Sequence, residues 1–423
     1  MNLYTKHIKT LLPYLDKVLL HVFIAIIPLN LSYHFKTSWV YFSGTLVDYL
    51  IPVITLQDIA AVLFVFYYII KTKKFFISKY LGFGFALTIL ISYFVSILPL
   101  LSVYWMLRIL LYICLFSTIL DCLRNNSIML SNIVTILFVS GILVVFLSLL
   151  QFYLKGSVFN NYIILGEQPY SLSTPHIVKE SVYGFTYVPP YGLFKHPNVL
   201  GGYASFISLV GVVLLLKSRK VKFVVILLAT LLALLVLFLT FSYVAWVSFI
   251  IGIVLFVIPQ LFPKISPRLL FLYLITLLVV VFVSLYTFSN IIGSDSVVRR
   301  TALLSNYIYN VSTDRFFLGY GLGTSSVALY EQLPYIGFKT PQPVHNIFFL
   351  MLSDVGILGL FVVLVGLYKL ITNINNAFSL SFLSIFMIMG FFDHYLVTSI
   401  QFNYLFLLTV CLSFAYNHYE DLY

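Results

Sequence analysis

The sequence predicts an all-α polytopic membrane protein with about 12 transmembrane helices, organised as a single membrane domain over residues 1–423. Of 423 residues, 61% are hydrophobic and only 9% are charged, whereas a soluble domain carries about a quarter charged residues. The apolar residues also fall into runs of about 17 to 25 residues, long enough to cross a bilayer. The run after Lys17 lacks a small-residue cleavage site and is therefore expected to be a retained first span.

Twelve apolar runs are predicted as spans. They lie near residues 17–33, 57–71, 80–98, 101–122, 130–153, 197–216, 223–240, 243–261, 268–289, 345–369, 377–394 and 399–416. The run from Phe223 to Pro259 is too long for one crossing, so it is predicted to cross twice and to turn near Phe241–Tyr243.

The net charge of +11 is not distributed as in a nucleic-acid-binding protein. The basic residues cluster in short connectors between apolar runs, as in cytoplasmic loops. These residues are Lys71, Lys73, Lys74 and Lys79, then Lys217, Arg219, Lys220 and Lys222, then Lys264 and Arg268. With both termini in the cytoplasm, twelve crossings put every basic connector on the same side.

Two long polar segments, at about 154–196 and 290–344, then lie outside the cytoplasm. Both are rich in tyrosine, proline, serine and asparagine, and loops of this length in a compact protein are usually functional or disordered. Their tyrosines favour partial burial and could contact sugar rings. Any chemistry is therefore expected in or at the membrane.

His345 and Asn346 stand where the second polar segment meets an apolar helix. A helix N-terminus presents unpaired N–H groups and a partial positive charge, so it attracts anions and favours a neutral imidazole. A neutral histidine beside an anion site is suited to act as a base on a phosphate-linked substrate. The alternative is an ordinary helix-start residue at the membrane surface.

Three arginines are candidates for binding a diphosphate. Arg299 and Arg300 lie in the second outer segment, where they could also be solvated or contact lipid headgroups. Arg108 lies within an apolar run, where a charge usually faces a cavity or a partner, although it could snorkel outward. Guanidinium groups bind phosphate oxygens in a bidentate manner.

Lys195, His196 and Asn198 accompany a second outward-facing helix start at Pro197. Proline is preorganised for the first helical turn, and Gly201 and Gly202 permit close helix packing. A well-capped and tightly packed helix explains the glycines, but it does not explain the accompanying cationic side chains. These side chains are therefore candidate ligands of a donor diphosphate.

Asp393 and His394 end the eleventh predicted span, either as interfacial anchors or as site residues. Asp354 lies nine residues after His345, which places the two on opposite faces of a helix, so it is expected to pair with another span. No Asp-x-Asp motif and no metal-ligand spacing occurs in the sequence. A catalytic metal and other cofactors are not expected.

These motifs together resemble the O-antigen ligase and O-antigen polymerase superfamily of bacterial membrane glycan transferases. The resemblance covers about residues 188–401. It rests, in order, on Tyr191-Gly-Leu-Phe-Lys-His-Pro-Asn-Val-Leu-Gly-Gly202, Arg299 and Arg300 leading to Phe317-Leu-Gly-Tyr-Gly-Leu-Gly323, His345-Asn346 with Gly356 and Gly359, and Asp393-His-Tyr395.

The resemblance implies a GT-C-like membrane fold and a metal-independent, inverting glycosyltransferase. It also implies an undecaprenyl-diphosphate-linked glycan donor, a lipid or glycan acceptor, and a site on the extracytoplasmic side of the bacterial plasma membrane. By the same resemblance, His345 is the essential loop histidine and Arg299 or Arg300 an essential arginine. Nucleic acid is not an expected partner.

The sequence departs from the family pattern at two places. A family Ser-Arg pair is replaced by Ser242-Tyr243, which leaves Tyr243 as a possible support residue, and an arginine before the Tyr-Gly motif is replaced by Pro189-Pro190. Lys195 and Arg108 are the candidate replacements.

A transporter or flippase of lipid-linked oligosaccharide is the alternative function. It would need polar residues through the bilayer midplane on several helices, whereas the polar motifs here gather at helix ends. Ligase and polymerase activity differ in the acceptor, and both remain open.

Overall fold

The computed structural model describes residues 15–42, 44–73, 79–125, 130–218, 221–292, 295–331 and 340–416. Three basic residues of the predicted connectors, Lys74, Arg219 and Lys220, lie outside these ranges, as do residues 293–294 and 332–339 of the second polar segment.

The described part of the chain is mostly helical. The helices are α1 (Leu15–Ile26), α2 (Leu56–Thr72), α3 (Lys79–Val95), α4 (Pro99–Arg124), α5 (Leu130–Leu154), α6 (Pro197–Lys217), α7 (Val221–Leu239), α8 (Tyr243–Leu261), α9 (Pro267–Thr287), α10 (Ser289–Ile292), α11 (Asp295–Asn310), α12 (Thr313–Leu318), α13 (Ser325–Glu331), α14 (Ile347–Thr372), α15 (Ala377–Phe392), α16 (Tyr395–Thr398) and α17 (Ile400–Tyr416).

Six short strands, which the all-α prediction did not include, form three antiparallel pairs. The strands are β1 (Ser32–His34), β2 (Tyr41–Phe42), β3 (Thr45–Leu46), β4 (Val53–Thr55), β5 (Glu180–Val182) and β6 (Phe185–Tyr187). β1 pairs with β4, β2 with β3, and β5 with β6. Five of them lie in connectors between predicted spans, where the backbone can pair locally without breaking a membrane helix. β1 overlaps the end of the first predicted span, 17–33, because the helix there already ends at Ile26.

One of the observed helices overlaps each of the twelve predicted spans. Seven of the described helices, α4 to α9 and α14, are long and apolar enough to cross a membrane. Others, such as α1 with 12 residues and α15 with 16, are shorter than a typical span. The polytopic, mainly helical class is therefore confirmed, and the count of twelve crossings stays a prediction.

The helical bundle is built around α15 and α6. Every residue from Ala377 to Phe391 in α15 is buried, and α15 packs against α8, α9 and α17. Helix α6 packs against α7 and α8, and a Cβ at Gly201 would lie 2.9 Å from Thr240 Oγ1 and Ser242 Cβ. The close packing predicted for this glycine is therefore present.

Helix α14 is interrupted at Gly356, where the backbone leaves the helical region (φ 66°, ψ −176°). A Cβ at Gly356 would lie 2.2 Å from Phe317 O, and one at Gly319 would lie 2.4 Å from Asp354 O. The Gly-rich turn at 319–323 therefore docks directly on the backbone of the broken helix, which only glycine allows at these positions.

Asp354 completes this docking. Its carboxylate accepts hydrogen bonds from Gly323 N (3.0 Å) and Ser325 N (3.2 Å), and its carbonyl oxygen accepts one from Gly321 N (2.9 Å). The partner of Asp354 is thus the backbone before α13, rather than another span as the sequence suggested. This carboxylate attaches the second polar segment to α14.

Arg108 of α4 forms a buried bidentate ion pair with Asp58 of α2. Its Nη1 and Nη2 donate to Asp58 Oδ1 (2.9 Å) and Oδ2 (2.8 Å), and Nη2 also donates to Val53 O (2.8 Å). Tyr404 of α17 donates to Asp58 as well. The relative exposure is 5% for Arg108 and 8% for Asp58. The pair therefore joins α2, α4, α17 and β4.

We expect Asp58→Asn to lower the free energy of unfolding by about 3–5 kcal/mol, because it leaves the buried Arg108 charge uncompensated. Chemical or thermal unfolding of the purified protein in detergent measures this loss. Asp48→Asn is the matched control, since the side chain of Asp48 is 53% exposed and exposed pairs contribute little. Equal stability of the two variants would contradict a structural role for the Arg108–Asp58 pair.

Candidate active site

A polar cluster forms where the start of α14, the connection between α15 and α16, and one face of α11 meet. It contains His345, Asp393, His394 and Arg300. The sequence predicted each of these residues separately, and the structure brings them together from positions up to 94 residues apart.

Asp393 lies at the centre of the cluster, immediately after the last turn of α15. Its backbone N–H donates to Met389 O (2.8 Å), and Oδ1 accepts from the backbone N–H of His394 (2.8 Å). Arg300 Nη2 lies 3.8 Å from Oδ2, and His394 Nε2 lies 3.9 Å from Oδ1. Asp393 is 8% exposed, so these neighbours compensate a largely buried charge.

Burial and the neighbouring groups have opposite effects on the pKa of Asp393. Burial by itself would raise the pKa of its carboxyl group, but His394, His345 and Arg300, with the His394 N–H, hold that pKa below its ordinary value. The carboxylate is therefore charged at neutral pH.

His345 precedes α14, with Asn346 as the N-cap residue. Its imidazole contacts that of His394 edge to face, with ring centroids 4.8 Å apart. Burial, assisted by His394 and Arg300, lowers the pKa of His345 to about 3, although Asp393 acts in the opposite direction. The neutral imidazole expected from the helix start is thus present, with burial as the main cause.

The Nδ1 atom of His345 is buried and has no hydrogen-bond partner among the described residues. A buried polar atom without a partner costs free energy. This nitrogen is therefore a position where a ligand hydroxyl could supply the missing partner.

His394 is oriented by Thr398, whose Oγ1 lies 2.8 Å from His394 Nδ1. A hydroxyl can donate or accept, so the direction of this hydrogen bond depends on which nitrogen of His394 carries the proton. Burial lowers the pKa of His394, and Arg300 adds to this while Asp393 opposes it. Thr398 was not predicted as a site residue, although residues four apart on a helix share a face and His394 lies four residues before it.

Helix α11 separates the roles of the adjacent arginines. The side chain of Arg300 is 29% exposed and faces Asp393, whereas Arg299 is exposed. Successive residues of a helix differ by about 100° in direction, so only one of the two faces the cluster. At 3.8 Å the contact with Asp393 is longer than a hydrogen bond, and Asp393 therefore does not saturate the guanidinium N–H groups.

The start of α6 borders the cluster. His196 is the N-cap residue, and its Nδ1 accepts from Asn198 N (3.1 Å). Its ring interacts electrostatically with Asp393, His394 and Arg300. Lys195 is exposed, and its Nζ lies 3.9 Å from Oδ2 of Asp48, which is also exposed.

Several other predicted site residues are engaged elsewhere. Asn346 Oδ1 accepts from Phe348 N and Phe349 N, and its amide donates to Phe391 O, so its side chain occupies the N–H groups that the sequence assigned to an anion. Arg108 and Asp354 make the structural contacts described above. Tyr243 is 71% exposed and contacts Trp246 edge to face.

One group of described residues has a spacing suited to a metal ion. His345, Asp393 and His394 each offer one ligand atom, and these atoms lie within 4.8 Å of one another. Neutral imidazoles and a carboxylate are ordinary metal ligands, whereas the Arg300 guanidinium, 3.8 Å from Asp393, opposes a second cation at this carboxylate.

Comparison with known proteins finds one family model that matches part of the chain. Residues 228–364 match a family model described as O-antigen ligase, a range that includes Arg300 and His345 but not His196, Asp393 or His394. No curated protein and no solved structure matches the chain significantly. This match agrees with the resemblance to the O-antigen ligase and polymerase superfamily seen in the motifs, and it covers about a third of the chain.

Proposed function

We propose that this protein transfers a glycan from an undecaprenyl-diphosphate-linked donor to an acceptor hydroxyl, on the extracytoplasmic face of the bacterial plasma membrane. The match of residues 228–364 to the O-antigen ligase family model supports glycan transfer in cell-surface polysaccharide synthesis. The observation that carries the proposal is geometric: the buried Nδ1 of His345 has no hydrogen-bond partner among the described residues, and its ring lies in the same cluster as the Arg300–Asp393 pair.

The reaction is a single displacement at the anomeric carbon. The acceptor oxygen forms a bond to that carbon, and the bond to the diphosphate oxygen breaks, with its electron pair leaving on the diphosphate. His345 takes the proton of the attacking hydroxyl or orients that hydroxyl. Attack from the face opposite the leaving group inverts the anomeric configuration.

Arg300 neutralises the charge that develops on the leaving diphosphate. Its N–H groups are not saturated by Asp393, and Asp393 holds the guanidinium in place. His196, Lys195 and Asn198, at the neighbouring helix start, are the further candidates for donor contacts. A diphosphate is a good leaving group, so we propose that the reaction needs no bound metal and that the protein acts mainly by positioning and charge neutralisation.

Transport of lipid-linked glycan has less support. Charged residues within the helices would have to line a path, but Asp58, Arg108 and Asp354 are engaged in the structural contacts that join helices and loops. Among the described residues, those proposed to contact the substrate lie near the starts or ends of long apolar helices or in α11, which is not one of the seven helices long and apolar enough to cross a membrane.

His345→Ala should reduce transfer about a hundred- to ten-thousand-fold, the typical contribution of a general base. Transfer is measured with purified protein in nanodiscs, lipid-linked donor and acceptor. His345→Gln separates the two roles, because glutamine can orient a hydroxyl but cannot accept its proton. His176→Asn, at an exposed loop histidine, serves as the control. Wild-type turnover by the alanine variant would remove His345 from the mechanism.

Arg300→Lys should lower transfer about ten- to a hundred-fold, because lysine lacks the planar fork that binds two phosphate oxygens. The same substitution at the exposed neighbouring residue, Arg299→Lys, should leave transfer close to wild type. Measured side by side, the opposite order of effects would show that Arg299 is the arginine that acts.

The extracytoplasmic location depends on twelve crossings. In a variant without Cys114, Cys122 and Cys411, cysteine at position 183 should react with a membrane-impermeant reagent in intact cells, whereas cysteine at position 264 should not. Tyr183 is 98% exposed and Lys264 is exposed in the connector before α9, so both positions are accessible on their own side. Equal labelling would overturn this topology.

A further inference from the structure

An open cavity of about 970 Å³ lies at the end of α5, within the first long polar segment. Its lining includes Lys155, Ser157, Asn160, Tyr170, Ser171 and Thr174. None of the residues of the candidate active site lines it. The cavity is thus a second place, apart from the candidate active site, at which the protein could hold a ligand.

The wall of this cavity is held in place by buried hydrogen bonds. Glu167 is fully buried and accepts from Gln151 Nε2 (2.7 Å), Val158 N (2.7 Å) and Phe159 N (2.6 Å). Ser157 N donates to Tyr170 O (2.9 Å), which joins the two sides of the loop. A preformed wall loses little conformational entropy when a ligand binds.

The lining matches the chemistry of a sugar. Hydroxyl and amide groups both donate and accept hydrogen bonds, as sugar hydroxyls do. Five of the lining side chains named above carry such groups: Ser157, Asn160, Tyr170, Ser171 and Thr174. Leu154 and Leu172, which are 55% and 43% exposed, add apolar surface to the lining for the C–H face of a sugar ring.

The surrounding charge favours a neutral ligand over a phosphate. The cavity lies at the C-terminal end of α5, where the helix dipole is negative and disfavours anions. Glu167 lies behind the wall, and Lys155 is the only charged residue in the lining. A lipid headgroup phosphate is therefore the less suitable occupant.

A row of aromatic rings connects the cavity with the candidate active site. Tyr170 lies against Tyr191, with ring centroids 4.7 Å apart, and Tyr191 lies 6.4 Å from the ring of His196. His196 in turn interacts with Asp393 and Arg300. Neighbouring rings therefore link the cavity wall to the start of α6, which borders the candidate active site.

We propose that this cavity is an oligosaccharide-binding subsite that holds a neutral sugar residue of the glycan, away from the reacting hydroxyl. Its place in glycan transfer rests on the function proposed above, but the binding itself does not. Such a subsite would increase the affinity for glycans that extend beyond the sugars in contact with His345.

The test uses wild-type protein and two serine-to-tryptophan variants in nanodiscs. Ser173 also lines the cavity, so Ser173→Trp places an indole where the ligand would bind, and Ser181→Trp is the matched control on the exposed face of β5, outside the cavity. The probe is a fluorescently labelled pool of neutral oligosaccharides, released by mild acid from the surface polysaccharide of the native host. Binding should weaken about tenfold or more in Ser173→Trp, the equivalent of one or two hydrogen bonds, and stay unchanged in Ser181→Trp.

His345→Ala distinguishes the two proposals, because it should bind the probe as the wild type does while losing transfer. In transfer assays, Ser173→Trp should raise the acceptor or donor KM with little change in kcat. Absence of binding to the wild type, or equal binding to Ser173→Trp, would overturn the subsite. So would competition by phosphatidylglycerol in the nanodisc, which would identify a lipid headgroup site. Transfer retained by His345→Ala would refute only the proposed role of His345.

Discussion

The buried carboxylate of Asp393 is the charge around which the candidate active site is arranged. A carboxylate that is 8% exposed needs compensation, and it receives this from the backbone N–H of His394 and from Arg300. These contacts bring α11 and the start of α16 to the end of α15, and the His345–His394 ring contact brings in the start of α14. Burial also lowers the pKa values of His345 and His394. Burial of the cluster therefore accounts both for the contacts that Asp393 makes and for the neutral imidazoles.

Arg300 can reach Asp393 only if the polar segment between α9 and α14 is held against the bundle. The Gly319–Gly323 turn packs against the backbone of α14 where the helix is interrupted at Gly356. At the end of that turn, Gly323 N and Ser325 N donate hydrogen bonds to the Asp354 carboxylate. Polar groups inside the spans therefore have a structural function here. The Arg108–Asp58 pair is a second example, since it ties three helices to a short strand.

The two candidate binding places differ in charge as their proposed ligands do. The active-site cluster contains the Arg300–Asp393 pair, whose guanidinium N–H groups suit a diphosphate, and imidazoles that suit an attacking hydroxyl. The cavity at the end of α5 contains hydroxyl and amide groups near a negative helix end, which suit neutral sugars. A donor or acceptor that is a lipid-linked chain carries both kinds of group, and the aromatic row from Tyr170 to His196 lies between the two places.

Composition and local pattern determined much of this protein from the sequence alone. Long apolar runs require helices in a membrane, and the helix starts at Asn346 and Pro197 could be read from capping signals because these depend on neighbouring residues. Tertiary structure decided the rest. Which of Arg299 and Arg300 faces the cluster depends on the rotation of α11 about its axis. Arg108 is paired with Asp58, an aspartate 50 residues away in the sequence. The cluster itself depends on contacts between α11, the start of α14 and the end of α15. No local pattern encodes such contacts, because they are set by how whole helices pack against one another.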